Sequence, residues 1–424
     1  MADGGRRRVA VIGSGVAGLT SAFILRRAAD VTLYEADNRL GGHAHTHDLA
    51  ADNRLFAVDT GFIVHNRRTY PTLLRLFAEL GVATRAAEMS MSVRCDGCRL
   101  EYAGAKGARG LFARPVNALS PPYLQLLRQV PRFHRHARAL LDSGPVTAVG
   151  PTLGEFVRAG EYSTYFVQHF VVPLVSAVWS CGPHRVAEYP ARYLFRFLDH
   201  HGMLAVTGSP TWRTVVGGSR RYVEAAAKEL AAVRTSTPVR AVTRVDGAAL
   251  VRDDGDVVER FDAVVIATHP DQALRLLTDP SALERAVLGA FEYSRNEAVL
   301  HTDESVLPRR LGARACWNYR LPSCAPTIGA AEVSYDLSRL QGLRSPTRFV
   351  VTLNGAAAVR PGAVLARMAY EHPVYTPASV AAQARLPELS TMVTAYAGAY
   401  HGWGFHEDGC RSGVEAARAL GVIW

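Results

Sequence analysis

Between an apolar run from Arg8 to Ile12 and a helical run from Leu19 to Arg27, the chain reads Gly13-Ser14-Gly15-Val16-Ala17-Gly18. Glycines at this spacing bring a backbone up to a diphosphate. Gly13 permits the tight turn, Gly15 lets the chain approach a pyrophosphate, and Gly18 lets the helix pack closely on the strand. Around them Ser14, Val16 and Ala17 lead into a helix start whose free N–H groups and positive dipole face the phosphates. A second apolar run, Val31 to Tyr34, ends in Glu35, 22 residues after Gly13, followed by Ala36. A carboxylate there can accept both ribose hydroxyls. Strand, glycines, helix, strand and acid in this order specify a dinucleotide site.

The next residues extend it. A cofactor longer than one dinucleotide half needs a second backbone approach, and the pair Gly41-Gly42 after Arg39 supplies one. His43, His45 and His47 alternate, so on a strand they would share a face and could resemble a metal site. In a loop beside a cofactor, separate roles are expected and no metal. Cys95 and Cys98 form a CxxC around Asp96-Gly97, between alternating strand residues. This pattern predicts a two-residue hairpin with a type I′ turn. No second pair offers zinc ligands, and six cysteines in 424 residues make no disulfide framework.

Further along, Trp212 to Ser219 leads into a helix through Tyr222 to Leu230. A strand ending at Pro238-Val239-Arg240, a hairpin around Asp253-Asp254-Gly255 and an apolar strand from Ala263 to Ala267 follow. Near the end, Tyr396 to Gly409 is a glycine-rich turn that precedes a predicted helix, Val414 to Leu420. This order resembles the return of the chain to the nucleotide domain in flavin amine oxidases and their relatives, and the resemblance implies a discontinuous nucleotide-binding domain over 1–70, 208–285 and 386–424. The two insertions, 71–207 and 286–385, would build a substrate domain, the first helical, the second with strand-like alternation at Ala298 to Thr302 and Arg348 to Leu353. Apolar runs such as Tyr123 to Leu127 and Tyr193 to Phe197 are core more often than channel, yet an apolar substrate cavity is the default for such an architecture.

Arg39-Leu40-Gly41-Gly42 resembles the R-x-G-G motif of flavin amine oxidases, phytoene desaturases and protoporphyrinogen oxidases, which contacts the pyrophosphate and flavin side of FAD; the usual following Arg is His43 here. The whole chain resembles one family within this superfamily, known as predicted FAD/NAD-binding proteins associated with cyclopropane-fatty-acid synthase-like methyltransferases. Matching blocks include Val58 to Val64, Arg68-Thr69-Tyr70-Pro71, Ala177 to Ser180, His201 to Leu204, Trp212 to Gly218, Leu300 to Asp303 and Gly404 to Gly409. The resemblance implies an α/β fold: a Rossmann-type, glutathione-reductase-like FAD-binding domain with an inserted α+β substrate domain. It places Ala36, Thr60, Gly61, Val239, Ala267, Thr268, Gly398, Phe405, His406, Glu407 and Asp408 around FAD. The C-terminal helix start would then face the N1–C2=O edge of the isoalloxazine. The chain also departs from true amine oxidases. These place a lysine near flavin N5, whereas Lys106 and Lys228, the two lysines here, lie in other segments. Their flavin-facing tyrosine is matched by the neighbourhood of Phe405-His406, and their acidic residue by Ala399-Tyr400.

A formal net charge of +10 carried almost wholly by arginine fits either genome composition or an anionic partner such as a phospholipid surface or acyl carboxylate. No nucleic-acid-reading motif accompanies it. No apolar signal core precedes Arg8, and the most apolar helical run, Tyr165 to Trp179, is interrupted by Gln168, His169 and Pro173. The expectation is a cytoplasmic protein, at most peripheral to the inner face of the membrane.

The family's link to fatty-acyl modification leads to hydride exchange at flavin N5 with a fatty-acyl or isoprenoid-like substrate, by desaturation, saturation or double-bond isomerisation. Candidate acids and bases are His43, His301, Tyr400 and His406, with His200 and His201 on the substrate side. The alternatives are an amine oxidase releasing peroxide and a non-catalytic flavin-bound partner of a lipid methyltransferase. Cys410, in the region where some relatives link flavin covalently, reads as a plain helix-start residue.

Overall fold

Val9, Val11, Val31, Leu33, Val264 and Val265 are fully buried, as apolar strand residues covered on both faces must be. The computed structural model describes residues 6–144, 150–205, 208–325 and 329–424. These apolar runs form a five-stranded parallel sheet in the order Ala232–Arg234, Ala29–Tyr34, Arg7–Ile12, Ala263–Ile266, Thr394–Tyr396. Val9 lies opposite both Val31 and Ala263, and Val264 opposite Thr394. The strands therefore come from three distant stretches of chain.

Two helices pack together on this sheet, Val16–Leu25 after the glycine turn and His406–Ala419 near the C-terminal end. Their contact is close because glycines face it. A Cβ on Gly409 would meet the Val16 side chain at 2.6 Å, and one on Gly413 the Ala17 carbonyl oxygen at 2.5 Å. The C-terminal helix thus begins at His406, two turns before the expected Val414. Its early glycines weaken the local helix signal, and packing overrides it.

A second sheet of seven strands runs Val364–Val374, Glu292–His301, Val350–Leu353, Glu332–Asp336, Trp317–Leu321, Met91–Cys95, Glu101–Tyr102. It is antiparallel except where Trp317–Leu321 pairs in parallel with Met91–Cys95. So the first insertion, expected to be helical, also contributes two strands. Its helices Pro121–Asp142, Val172–Trp179 and Ala191–His200 bury a core rich in aromatic rings, among them Phe133, Phe166 and Phe195. The hairpin at Cys95–Cys98 also differs from expectation. Cys95 N–H donates to the Leu100 carbonyl at 2.9 Å, leaving a four-residue loop, and the left-handed position is Arg99, at φ 61°. No helix among the described residues is long and apolar enough to cross a membrane.

Candidate active site

The glycine turn sits where the Arg7–Ile12 strand of the parallel sheet enters its helix. Gly13 holds φ 100° and donates its N–H to the Tyr34 carbonyl at 2.8 Å. Gly18 packs against that turn so closely that a Cβ would lie 1.9 Å from the Gly13 oxygen. At Gly15, the N-cap of the helix, a Cβ would meet nothing within 4 Å. Open space before a helix N-terminus is what a pyrophosphate requires. Glu35 closes the strand beside it, accepting from the Ser14 N–H at 2.9 Å and, through its other oxygen, from the Asp37 N–H at 2.9 Å.

The second glycine pair meets the first. Gly41 donates to Ser14 Oγ at 3.0 Å, and a Cβ on Gly42 would stand 3.3 Å from the Gly15 Cα. Both adopt positive φ, 108° and 55°. Arg39 beside them keeps a buried Nη1 without a partner.

A cavity of about 850 Å³ runs from these loops into the space between the two sheets. That is towards the upper end of the roughly 300–1,000 Å³ typical of ligand sites. Gly13, Ser14, Gly15, Val16, Ala17, Glu35, Ala36, Arg39, Gly42, His43, Thr60, Gly61, Val239, Ala267, Thr268, Gly398, Phe405 and His406 all line it. Gly18 and Gly41 do not, but they shape the turns of those that do.

Three expected residues have other work. Glu407 accepts from the N–H groups of Thr72 and Leu73, both at 3.0 Å, and so caps the Pro71–Glu79 helix. Asp408 accepts from the Phe405 N–H at 3.1 Å and pairs with Arg411 at 3.1 Å. Because the helix starts at His406, both acids fall in its first turn, and neither lines the cavity. His301 is fully buried and outside the cavity. Its Nε2 bonds Thr352 Oγ1 at 2.8 Å, and its Nδ1 accepts from the Asp303 N–H at 3.1 Å. Both nitrogens are taken, and neither faces the cavity.

The other candidates meet at the junction of nucleotide and substrate ends. His43 Nε2 and the Tyr400 hydroxyl are buried without partners. His406 stacks on Phe62 at 3.6 Å between centroids, and its Nε2 lies 3.2 Å from the Tyr222 hydroxyl. Burial, then the charges of His372, His269, His406 and Arg39, hold His43 well below the ordinary imidazole value. Burial also takes His406 down to about 3, and pushes the Tyr400 phenol up. These rings are therefore neutral imidazoles and a neutral phenol. His201 lines the substrate side and His200 does not. Cys410 faces Thr20 Oγ1 at 3.4 Å, inside the helix pair and outside the cavity.

Residues passed over by sequence reading complete the junction. His372 lies 5.4 Å from His43 and Tyr370 5.2 Å, ring to ring. His269 stacks on Tyr293 at 4.1 Å and reaches Glu371 at 3.2 Å. Tyr370 and His372 alternate on one strand, which is a legible signal, and His269 directly follows Thr268. The substrate wall draws on Ile63, Val64, Met89, Val178, Trp179, Phe197, Trp212, Trp317, Tyr335, Val351, Leu353 and Trp403. No carboxylate, lysine or arginine stands among them. The charged lining residues, Glu35, Asp37, Arg39, Arg275, Arg295 and Glu371, belong to the nucleotide loops or to the elements around His269.

The open position at Gly15, the unpaired Arg39 Nη1 and the unpaired His43 Nε2 fit a bound dinucleotide whose second half carries a flavin. A Rossmann-type site opening onto a largely apolar cavity fits one class, the FAD-dependent oxidoreductases. The family model for flavin containing amine oxidoreductase matches residues 16–352. The chain belongs to that family. It is 28% identical over 283 residues to carotenoid phi-ring synthase of Streptomyces griseus, covering 63% of this chain and 53% of that protein. The chain thus spans about half the length of that curated relative. Among solved structures, cyclohexylamine oxidase from Brevibacterium oxydans IH-35A superposes with TM-score 0.71 at 14% identity, covering 98% of this chain and 99% of that one. A CLA-producing fatty acid isomerase from P. acnes gives TM-score 0.67 at 16% identity over 96% and 97%. At such identities the likeness is one of fold.

Proposed function

We propose that this oxidoreductase exchanges hydride with a hydrophobic substrate, fatty-acyl or isoprenoid-like, in a desaturation, saturation or double-bond isomerisation. The observation that carries the reading is the uncharged aromatic and aliphatic wall. An ammonium substrate would lose its hydration there with no carboxylate to replace it, at a cost of several kcal/mol. An alkyl chain gains from the same wall at roughly 25 cal/mol per Å² buried. The names of the carotenoid synthase and fatty acid isomerase relatives agree with a lipid-like substrate.

FAD, when bound, supplies a hydride acceptor or donor at its isoalloxazine. The protein's own part is to orient and to manage protons. The wall offers water no charged partner, and Trp179 is held in it by donating its Nε1–H to the Trp403 carbonyl at 3.2 Å. His43 and Tyr400 present the unpaired polar atoms at the junction, where a proton must be given or received. The N-terminus of the His406–Ala419 helix favours negative charge beside them.

Anaerobic addition of unsaturated acyl lipids to the flavoprotein tests the proposal. Bleaching of the flavin by one lipid class, or a shifted double bond in the recovered lipid, is the expected result. Reduction by simple amines with peroxide release in air, and no response to any lipid, would overturn it in favour of an amine oxidase.

A further inference from the structure

Away from the cavity, four soft ligands converge that no element of the redox site uses. Cys95 and Cys98 come from the hairpin at the end of the Met91–Cys95 strand, His169 from the helical turn Val167–Val171, and Cys324 from the loop after the Trp317–Leu321 strand. One ligand atom from each lies within 4.8 Å of all the others. Cys95 Sγ is 3.6 Å from Cys324 Sγ, and Cys98 Sγ is 3.6 Å from His169 Nε2. We propose that these four side chains bind one structural zinc ion.

Both of these distances match edges of a coordination tetrahedron. Zinc–sulfur bonds of about 2.3 Å and zinc–nitrogen bonds of about 2.0–2.1 Å give sulfur–sulfur edges near ~3.8 Å and sulfur–nitrogen edges near ~3.6 Å. A disulfide would require about 2.05 Å. The histidine is prepared for the task independently of the thiols. Its Nδ1 sits 2.9 Å from the Tyr165 carbonyl, which takes that N–H and leaves the Nε2 lone pair facing the sulfurs. Tyr165 also stacks on the ring at 4.0 Å. His169 lies in a π-helical turn, and such turns concentrate at functional sites. At Gly97, between the two hairpin cysteines, a Cβ would stand 3.1 Å from the Cys324 nitrogen, so the absent side chain lets the second loop close over the first.

Binding exchanges three thiol protons, released to solvent, for one Zn²⁺, with no change of oxidation state. Four protein ligands leave no open position, which makes the site structural. It would pin the Cys95–Cys98 hairpin and the large sheet to the helix that continues into Val172–Trp179, whose end forms part of the cavity wall. The sequence alone argues against a metal because no second cysteine pair lies near the CxxC. The other two ligands lie 71 and 229 residues away, joined to it by the parallel pairing of Trp317–Leu321 with Met91–Cys95 and by packing of the helical turn.

The test is metal analysis of the flavoprotein purified without a histidine tag or chelator. About one zinc per chain is expected, released by a thiol-binding mercurial. Cys98→Ser and Cys324→Ser should lose it, while Cys316→Ser keeps it. Because serine variants can misfold, the wild-type protein is also stripped and titrated with Co²⁺, and the visible bands of tetrahedral thiolate coordination are expected. Metal-free protein with a disulfide joining two of the three cysteines would overturn the proposal in favour of a redox pair. Metal-free protein with free thiols and no Co²⁺ spectrum would overturn it outright.

Discussion

Tyr400 carries a buried hydroxyl that no neighbour satisfies, close to Gly398 and against Phe291 at 5.3 Å. An unpaired polar group in a folded interior is either a small loss of stability or a group waiting for a ligand. Removing it separates the two. Tyr400→Phe should leave the urea midpoint unchanged or slightly raised, within about 1 kcal/mol, because no bond is lost. If the phenol moves a proton, turnover of the responding lipid should fall by roughly 10²–10⁴-fold with the flavin still bound. Unchanged turnover would leave His43 as the acid or base. His301 shows what a single sequence hides at this scale. Its place on a strand identifies a face, but Thr352 and the Asp303 N–H decide that this face is internal. His43, by contrast, follows a glycine pair that had to sit at the cofactor.

The glycine loop and its helix show how one residue type serves two ends. Gly15 faces open space, whereas a Cβ on Gly18 would stand 1.9 Å from the Gly13 carbonyl oxygen. Gly15→Ala should therefore fold with normal stability and bind FAD roughly tenfold more weakly, a loss of about 1.4 kcal/mol, because its methyl group enters the pyrophosphate space. Gly18→Ala should lower stability by about 3 kcal/mol, since backbone and not a flexible side chain must yield. FAD titration and denaturant unfolding on both variants check the contrast, and equal losses of stability would refute it. This element is legible in the sequence because its order along the chain is local. The start of the C-terminal helix is not. Gly409 and Gly413, unfavourable in an isolated helix, are there for contact with Val16 and Ala17 at the other end of the chain. A start at Val414 would leave Glu407 and Asp408 in a loop at the flavin, and the start at His406 turns them into capping groups.

Across the whole molecule, burial of neutral histidines sets the pH response. His201, His301, His372 and His401 are lowered to about 4 and His406 to about 3, with burial the largest cause in each, and His43 is lowered well below its ordinary value. In the unfolded chain each takes a proton as pH falls through about 6.5. The folded state stays neutral until about pH 4, so the unfolded state binds more protons in between and stability falls with falling pH. Each ring contributes up to about 1.4 kcal/mol per pH unit. Asp59 and Asp408 act in the opposite sense. Burial raises both to about 6, so between the ordinary carboxylate range and that value the folded state holds the extra proton and loses stability as pH rises. Glu407, raised by burial as well, joins these carboxylates. The lowered rings outnumber them, with His45, His65 and His134 lowered too, and the flavoprotein's unfolding free energy should climb from about pH 4 to about pH 6.5 and then level. Asp408→Asn removes one opposing group while keeping an oxygen for the Phe405 N–H, so its climb should be steeper than that of the wild type. A flat or falling profile in denaturant titrations across this window would mean that several of these histidines are charged in the fold, and the neutral junction on which the proposed hydride chemistry relies would have to be abandoned.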